Sequence, residues 1–148
     1  MRKWANGQFT PKNVEKYTGK RLPRYRSSWE LAFMQFCDNH PAIIQWASES
    51  LQIPYQNPLT GKNTIYVPDF VIVYEDKNGN RKAEVIEIKP SSQTFKEAAG
   101  RNLNNQAAIA VNMAKWKAAA AWCQKMGLFF RVVNEKDLFK KWWAKTNS

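Results

Sequence analysis

Two apolar, β-branched runs joined by an Asn-Gly turn constrain this chain more than anything else in it. Thr64-Ile65-Tyr66-Val67 runs through Pro68-Asp69 into Phe70-Val71-Ile72-Val73-Tyr74, and Ala83-Glu84-Val85-Ile86-Glu87-Ile88-Lys89 follows. Val, Ile, Tyr and Phe at this density favour extended strands. Between the runs, Glu75-Asp76-Lys77-Asn78-Gly79-Asn80 carries a strong hairpin signal. Pro68 predicts a bulge or an edge position where Asp69 sits, because proline cannot donate to a ladder. The expected unit is a hairpin with charged residues gathered at one end.

Alternate residues of a strand share a face, roughly 6.5 Å apart. Glu87 and Lys89 therefore share one face, and Ile86 and Ile88 the other. Asp69 on the neighbouring strand can meet Glu87 across the pair, with the Ile88 carbonyl between the two charged side chains along the backbone. Two carboxylates and one carbonyl make a hard, all-oxygen donor set with open positions. Mg²⁺ or Mn²⁺ fits such a set and zinc does not. Lys89 beside the ion would orient a water nucleophile or stabilise charge on a phosphate. The same residues admit a plainer reading, in which Asp69 ends a bend and Glu87 and Lys89 are a solvated face. Three features weigh against it: the hairpin context, the basic chain and an upstream glutamate.

That glutamate is Glu30, in Ser27-Ser28-Trp29-Glu30, ahead of Leu31-Ala32-Phe33-Met34-Gln35-Phe36-Cys37. The apolar spacing predicts a helix over Ser28 to Asn39. Ser27 and Glu30 match a capping box, in which the glutamate reaches back only to the cap amide. They equally match a first-turn carboxylate that holds a second metal or a water.

Together, Pro68-Asp69, Glu87-x-Lys89 and Glu30 resemble the PD-(D/E)xK nuclease superfamily, with no departure at these positions. Within it, Arg26-Ser-Ser-Trp-Glu30, Tyr66-Val-Pro-Asp-Phe70 and Glu87-Ile-Lys-Pro90 resemble TnsA-type transposase endonucleases. With Asn105 to Lys117 and Trp122-Cys123, they resemble still more closely the small head completion proteins of T-even-like tailed phages. The resemblance covers nearly the whole chain. It implies an α/β, restriction-endonuclease-like fold with a central mixed β-sheet flanked by helices. It implies Glu30, Asp69, Glu87 and Lys89 as catalytic residues, with Asp69, Glu87 and the Ile88 carbonyl holding Mg²⁺ or Mn²⁺. For the phage group it implies processing or holding a packaged DNA end at the portal vertex. The implied partners are double-stranded DNA or DNA ends and the phage portal or neck proteins. The implied location is the host cytoplasm during assembly, then the head–neck region of the virion. Two alternatives stay open: a non-catalytic DNA-binding adaptor, and a TnsA-like or junction-resolving endonuclease.

Size and charge agree with one folded domain acting on a polyanion. The 148 residues are 44% hydrophobic and carry 23 Lys and Arg against 12 Asp and Glu, a net charge of +11. Residues 1–26 form a basic N-terminal arm with eight Lys or Arg and one acid, Glu15, ahead of a nuclease-like domain over 27–148. Such an arm favours nucleic acid through counterion release and steering. Its candidate phosphate contacts are Lys20, Arg21, Arg24 and Arg26. Trp4, Phe9, Tyr17 and Tyr25 either stack on unpaired bases or anchor the arm on its own domain. No long apolar span or signal-like segment occurs, so no membrane partner is expected.

Ile43-Ile44-Gln45-Trp46 and Leu51 to Tyr55 read as short strands. An alanine-rich helix is expected over about Asn104 to Met126, closed by Gly127. Asn112, Lys115 and Ala119 share one of its faces. Lys115 is a candidate DNA contact, although a solvent-facing lysine on a packing helix is the plainer alternative. Gln93, in the loop after Pro90, is another candidate. Leu128 to Val133 reads as a buried strand that joins the sheet in parallel. A last helix carries a basic, aromatic patch of Lys140, Lys141, Trp142, Trp143 and Lys145. Cys37 and Cys123 lack metal spacing and read as buried thiols. The single histidine, His40, reads as a loop residue at a helix end.

Overall fold

The first helix shows how closely local sequence dictates the fold. α1 spans Ser28–Asn39. Ser27 caps it, its Oγ accepting the Glu30 N–H at 3.2 Å. Phe33, Met34 and Cys37 fall on one buried face. The helix stops at His40, which donates its N–H to the Phe36 carbonyl at 2.9 Å before Pro41 prevents continuation. The computed structural model describes residues 6–89 and 103–134.

Four strands form the central sheet: β3 (Ile43–Ser48), β6 (Phe70–Glu75), β7 (Arg81–Ile88) and β8 (Phe129–Val133), in the order β3-β6-β7-β8. The first two pairings are antiparallel and β7–β8 is parallel. The β6–β7 hairpin turns as its sequence predicts. Asp76 Oδ1 accepts the N–H groups of Asn78 and Asn80, each at 2.9 Å. Gly79 takes the left-handed φ of 82° that a side chain would resist. The parallel partner arrives through α2, Leu103–Met126, whose end is marked by Gly127 at φ 75°.

Phe70, Ile72, Ile86, Ile88 and Val133 turn to one face of the sheet and bury against Phe33, Met34 and Cys37 of α1. The opposite face belongs to α2. Ala119 lies fully buried there with Ile53 and Tyr66, and Trp116, Trp122 and Phe130 pack around them. The sheet is thus sandwiched by two helices, the arrangement expected of a restriction-endonuclease-like α/β fold. Both cysteines are buried free thiols. Among the described residues, no helix is long and apolar enough to cross a membrane.

Two expectations need correction. The run from Thr64 to Tyr74 is two strands, because Val67-Pro68-Asp69 leaves the ladder. β5 (Asn63–Tyr66) pairs with β4 (Ile53–Gln56) in a separate ribbon, and β6 starts afresh in the main sheet. β8 is also less buried than its composition suggests. It lies at the end of the strand order, and only Val133 is buried, with Phe129 exposed.

Part of the basic arm is built into the domain. β1 (Gly7–Gln8) pairs with β2 (Arg24–Tyr25), and a 3₁₀ turn covers Val14–Lys16. The buried Asp38 carboxylate accepts the N–H groups of Lys12 and Asn13 at 2.9 and 3.0 Å. The Tyr17 ring meets Trp46 edge-on at 4.7 Å. Phe9, Tyr17 and Tyr25 thus act as anchors on the core. Trp4, Gln93 and the basic, aromatic segment around Trp142 lie outside the described residues.

Candidate active site

The last ladder pair between β6 and β7 is Phe70 with Ile86, so the next step sets Asp69 opposite Glu87. Both point away from the α1 core, because Phe70, Ile86 and Ile88 point into it. The ladder's end exposes the Ile88 amide to Asp69, whose Oδ2 accepts that N–H at 2.8 Å. In an extended strand a residue's N–H and C=O point to the same side, so the Ile88 carbonyl faces the Asp69 side as well. The following amide, of Lys89, turns the other way and donates to the Val133 carbonyl at 2.8 Å.

Burial dominates the electrostatics of the pair. The Asp69 carboxyl is pushed well above the ordinary aspartate range, first by desolvation and then by the Glu87 charge. The Ile88 N–H and the Lys89 ammonium oppose this, and Glu30 adds to it. Glu87 is raised too, again by burial first. The Tyr66 hydroxyl, which donates to Glu87 Oε1 at 2.7 Å, offsets part of that, as do Lys89 and Lys115. Neither carboxylate has an ion-pair partner among the described residues. Two half-buried acids facing each other without a paired cation make a site that favours a bound one.

The donor set fits a hard divalent ion. Among the described residues, no three His, Cys, Asp or Glu side chains gather into a self-sufficient metal cluster. Asp69, Glu87 and the Ile88 carbonyl would leave positions for water and phosphate, as Mg²⁺ prefers.

Glu30 lies within electrostatic reach of Asp69. Its carboxylate accepts the Arg26 N–H at 3.0 Å, one residue before the capping position that a standard box would use. Burial raises its carboxyl, as does the charge of Glu49, while Arg26 opposes the rise. Glu30 thus braces the helix start and also acts electrostatically on Asp69. Lys20, Arg21, Arg24 and Arg26 line one cleft of about 860 Å³ together with Glu49 and Val67. The acid pair is not part of its lining; the cleft is linked to Asp69 through the Glu49 N–H, which donates to the Asp69 carbonyl at 2.9 Å, and through the charge of Arg26, which acts on Asp69.

Lys115 does not simply face solvent. Its Nζ lies 5.7 Å from the Tyr66 ring centre and 6.0 Å from that of Tyr55, within cation–π range. Through Tyr66 it sits on the Glu87 side of the site. His40 stays outside: its Nδ1 accepts the Ala42 N–H at 3.0 Å at the end of α1, and burial lowers its pKa. Two residues at the site escaped the sequence reading. Tyr66 read as an ordinary strand aromatic, and Glu49, between two short strands, drew no reading at all. No local signal marks either, because both reach the site through tertiary contacts.

Residues 40–135 match the family described as TnsA-like endonuclease N terminal. The chain is also 37% identical over 144 residues to the head completion nuclease of Enterobacteria phage T4, an alignment covering 90% of this chain and 93% of that one.

Proposed function

This chain belongs to the TnsA-like endonuclease family and is a DNA endonuclease, and from that premise we propose that it cuts DNA with Mg²⁺ or Mn²⁺ during phage head completion. The observation that carries the reading is the half-buried Asp69–Glu87 couple, without an ion-pair partner among the described residues, within electrostatic reach of Arg26 in a cleft that Lys20, Arg21 and Arg24 also line. In this reading Asp69, Glu87 and the Ile88 carbonyl hold the ion. When bound, it supplies positive charge to the phosphate and acidifies water.

The chain's own groups do the rest. Arg26 and its neighbours in the cleft bind the DNA backbone and set its register. The Lys89 ammonium, on the Glu87 face, stabilises charge that builds on the phosphate oxygens. Glu30, whose carboxyl has a raised pKa and whose charge acts on Asp69, accepts a proton from the attacking water. Tyr66 fixes the rotamer of Glu87 through its hydrogen bond. Lys115 adds positive charge on the α2 side. Gln93 is assigned a DNA contact in the same reading. The DNA end at the portal vertex is the proposed substrate, and portal or neck proteins the proposed partners. The proposed setting is the host cell during assembly, then the head–neck region of the virion.

Purified protein should nick or cut duplex DNA with Mg²⁺ and not with EDTA. Asp69→Ala and Lys89→Ala should each abolish cleavage while DNA still binds. Undiminished cutting by either variant would refute the assignment of the site. Retained DNA binding with no cutting by the wild type in any divalent metal would instead favour a non-catalytic adaptor.

A further inference from the structure

Among the described residues, Glu49 is the one non-glycine residue with a left-handed backbone, at φ 49°. A Cβ is sterically disfavoured there, and glycine would avoid the strain. Two contacts come from this one residue. Its N–H donates to the Asp69 carbonyl at 2.9 Å, one step past the last β3–β6 pair, Ser48 with Phe70. Its Oε1 accepts from Arg26 Nη1 at 2.9 Å. Glycine could supply the first contact without strain. A glutamate in relaxed, extended backbone could supply the second. Their coexistence at a strained position indicates that the backbone turn and the carboxylate are both in use.

Folding stability does not account for the arrangement. The Arg26–Glu49 pair is solvated, with 59% and 37% of the two side chains exposed. An ion pair of this kind adds little to stability, less than a left-handed non-glycine residue takes away. The pair's location gives it another use. Arg26 and Glu49 both line the basic cleft, and the Arg26 charge is felt at Asp69 and Glu30. Glu30 holds the Arg26 backbone N–H, and Glu49 holds one end of its guanidinium. Among the described residues the remaining guanidinium N–H groups meet no other acceptor, which leaves them to bind phosphate in a fixed orientation.

We propose that Glu49 is a positioning residue for DNA cleavage, tethering Arg26 for phosphate contact while anchoring the backbone of Asp69. The proposal rests on the nuclease reading above. Glu49 touches neither the ion nor the scissile bond in this scheme. It acts through Arg26, whose aim matters most when charge develops on the phosphate.

Four variants of the full chain test it: Glu49→Gly, Glu49→Gln, Arg26→Ala and the double variant Arg26→Ala/Glu49→Gly. Melting temperature, Mn²⁺ binding by calorimetry and steady-state cleavage of duplex DNA are measured for each. Glu49→Gly should melt at or above the wild-type temperature and bind Mn²⁺ normally. Its kcat should fall about tenfold with KM changed less than about twofold. Glu49→Gln keeps a neutral acceptor for Arg26 and should lose only about threefold in kcat. Arg26→Ala should lose about tenfold or more, and the double variant no more than Arg26→Ala alone. A Glu49→Gly protein that cuts at the wild-type rate overturns the proposal. So does a double variant whose loss is the product of the single losses. So does a Glu49→Gly protein that melts below wild type alongside a Glu49→Gln protein of unchanged kcat, which would make the contact structural. A wild type that neither cuts DNA nor binds Mn²⁺ overturns the nuclease reading, and this proposal with it.

Discussion

Glu84 and Glu87 sit three residues apart on β7, the first buried and the second half-buried, and their surroundings differ completely. Glu84 lies on the α1 face with 1% of its surface exposed. Its Oε1 accepts from Arg131 Nε at 2.8 Å, and its other oxygen takes a hydrogen bond from the Tyr74 hydroxyl. Glu87 lies on the α2 face, takes a neutral phenol from Tyr66, and looks across at a second acid, Asp69. One carboxylate has its counter-charge built into the sheet. The other has no ion-pair partner among the described residues, only the more distant charges of Lys89 and Lys115. Burial alone therefore says little about a carboxylate's role, and the presence or absence of a protein cation on it says much more.

The comparison is most exposed to failure through Glu87→Gln. That change should lower cleavage about a thousandfold or more while leaving the fold intact, checked by single-turnover cleavage and circular dichroism. Glu84→Gln should do the reverse. It breaks a buried pair and should reduce stability by about 3 kcal/mol in urea unfolding. That figure is at the low end for such pairs, because Arg131 is 42% exposed and can rehydrate. The Glu84→Gln protein should still cut DNA at temperatures where it stays folded. If Glu84→Gln were inactive though folded, or Glu87→Gln unstable though active, the division between the two would be wrong.

Added metal sharpens the contrast. An ion that binds only the folded protein, at a hundredfold excess over its dissociation constant, stabilises it by about 2.7 kcal/mol. Melting scans with and without Mg²⁺ should show this gain for the wild type and for Glu84→Gln. Glu87→Gln should show almost none.

Much of this contrast is legible in the sequence. A period of two in Val85-Ile86-Glu87-Ile88-Lys89 separates the charged face from the core face, and Asn78-Gly79 fixes the hairpin that brings Asp69 opposite Glu87. The parallel β8 follows from the long helix that precedes it. The partners of each glutamate are not legible. Arg131 reaches Glu84 from a strand 47 residues away. Tyr66 reaches Glu87 because the break at Val67-Pro68-Asp69 sends β5 into its own ribbon, a consequence of tertiary packing that strand propensity does not encode. Glu49 becomes notable only through its backbone angle and its contacts with Asp69 and Arg26.

The smallest expected effect is the one that most directly tests whether the acid pair is under electrostatic strain. Asp69→Asn removes a charge that faces Glu87 and keeps an amide oxygen able to accept the Ile88 N–H. Without metal, at mildly alkaline pH, it should raise stability by about 1 kcal/mol, or about 2–4 °C in melting temperature for a domain of this size. The sign follows from the direction of the shift. A carboxyl whose pKa is raised by folding holds its proton more tightly in the native state. Its stabilising effect is complete below the ordinary aspartate range and is lost as pH rises through the raised value. The gain from asparagine should therefore shrink as pH falls and vanish in acid. With Mg²⁺ the order should invert, because only the wild type gains the ion. A crossing of the two melting curves on metal addition is the expected signature. A variant less stable than wild type both with and without metal would mean that Asp69 is already neutralised within the protein, as Glu84 is.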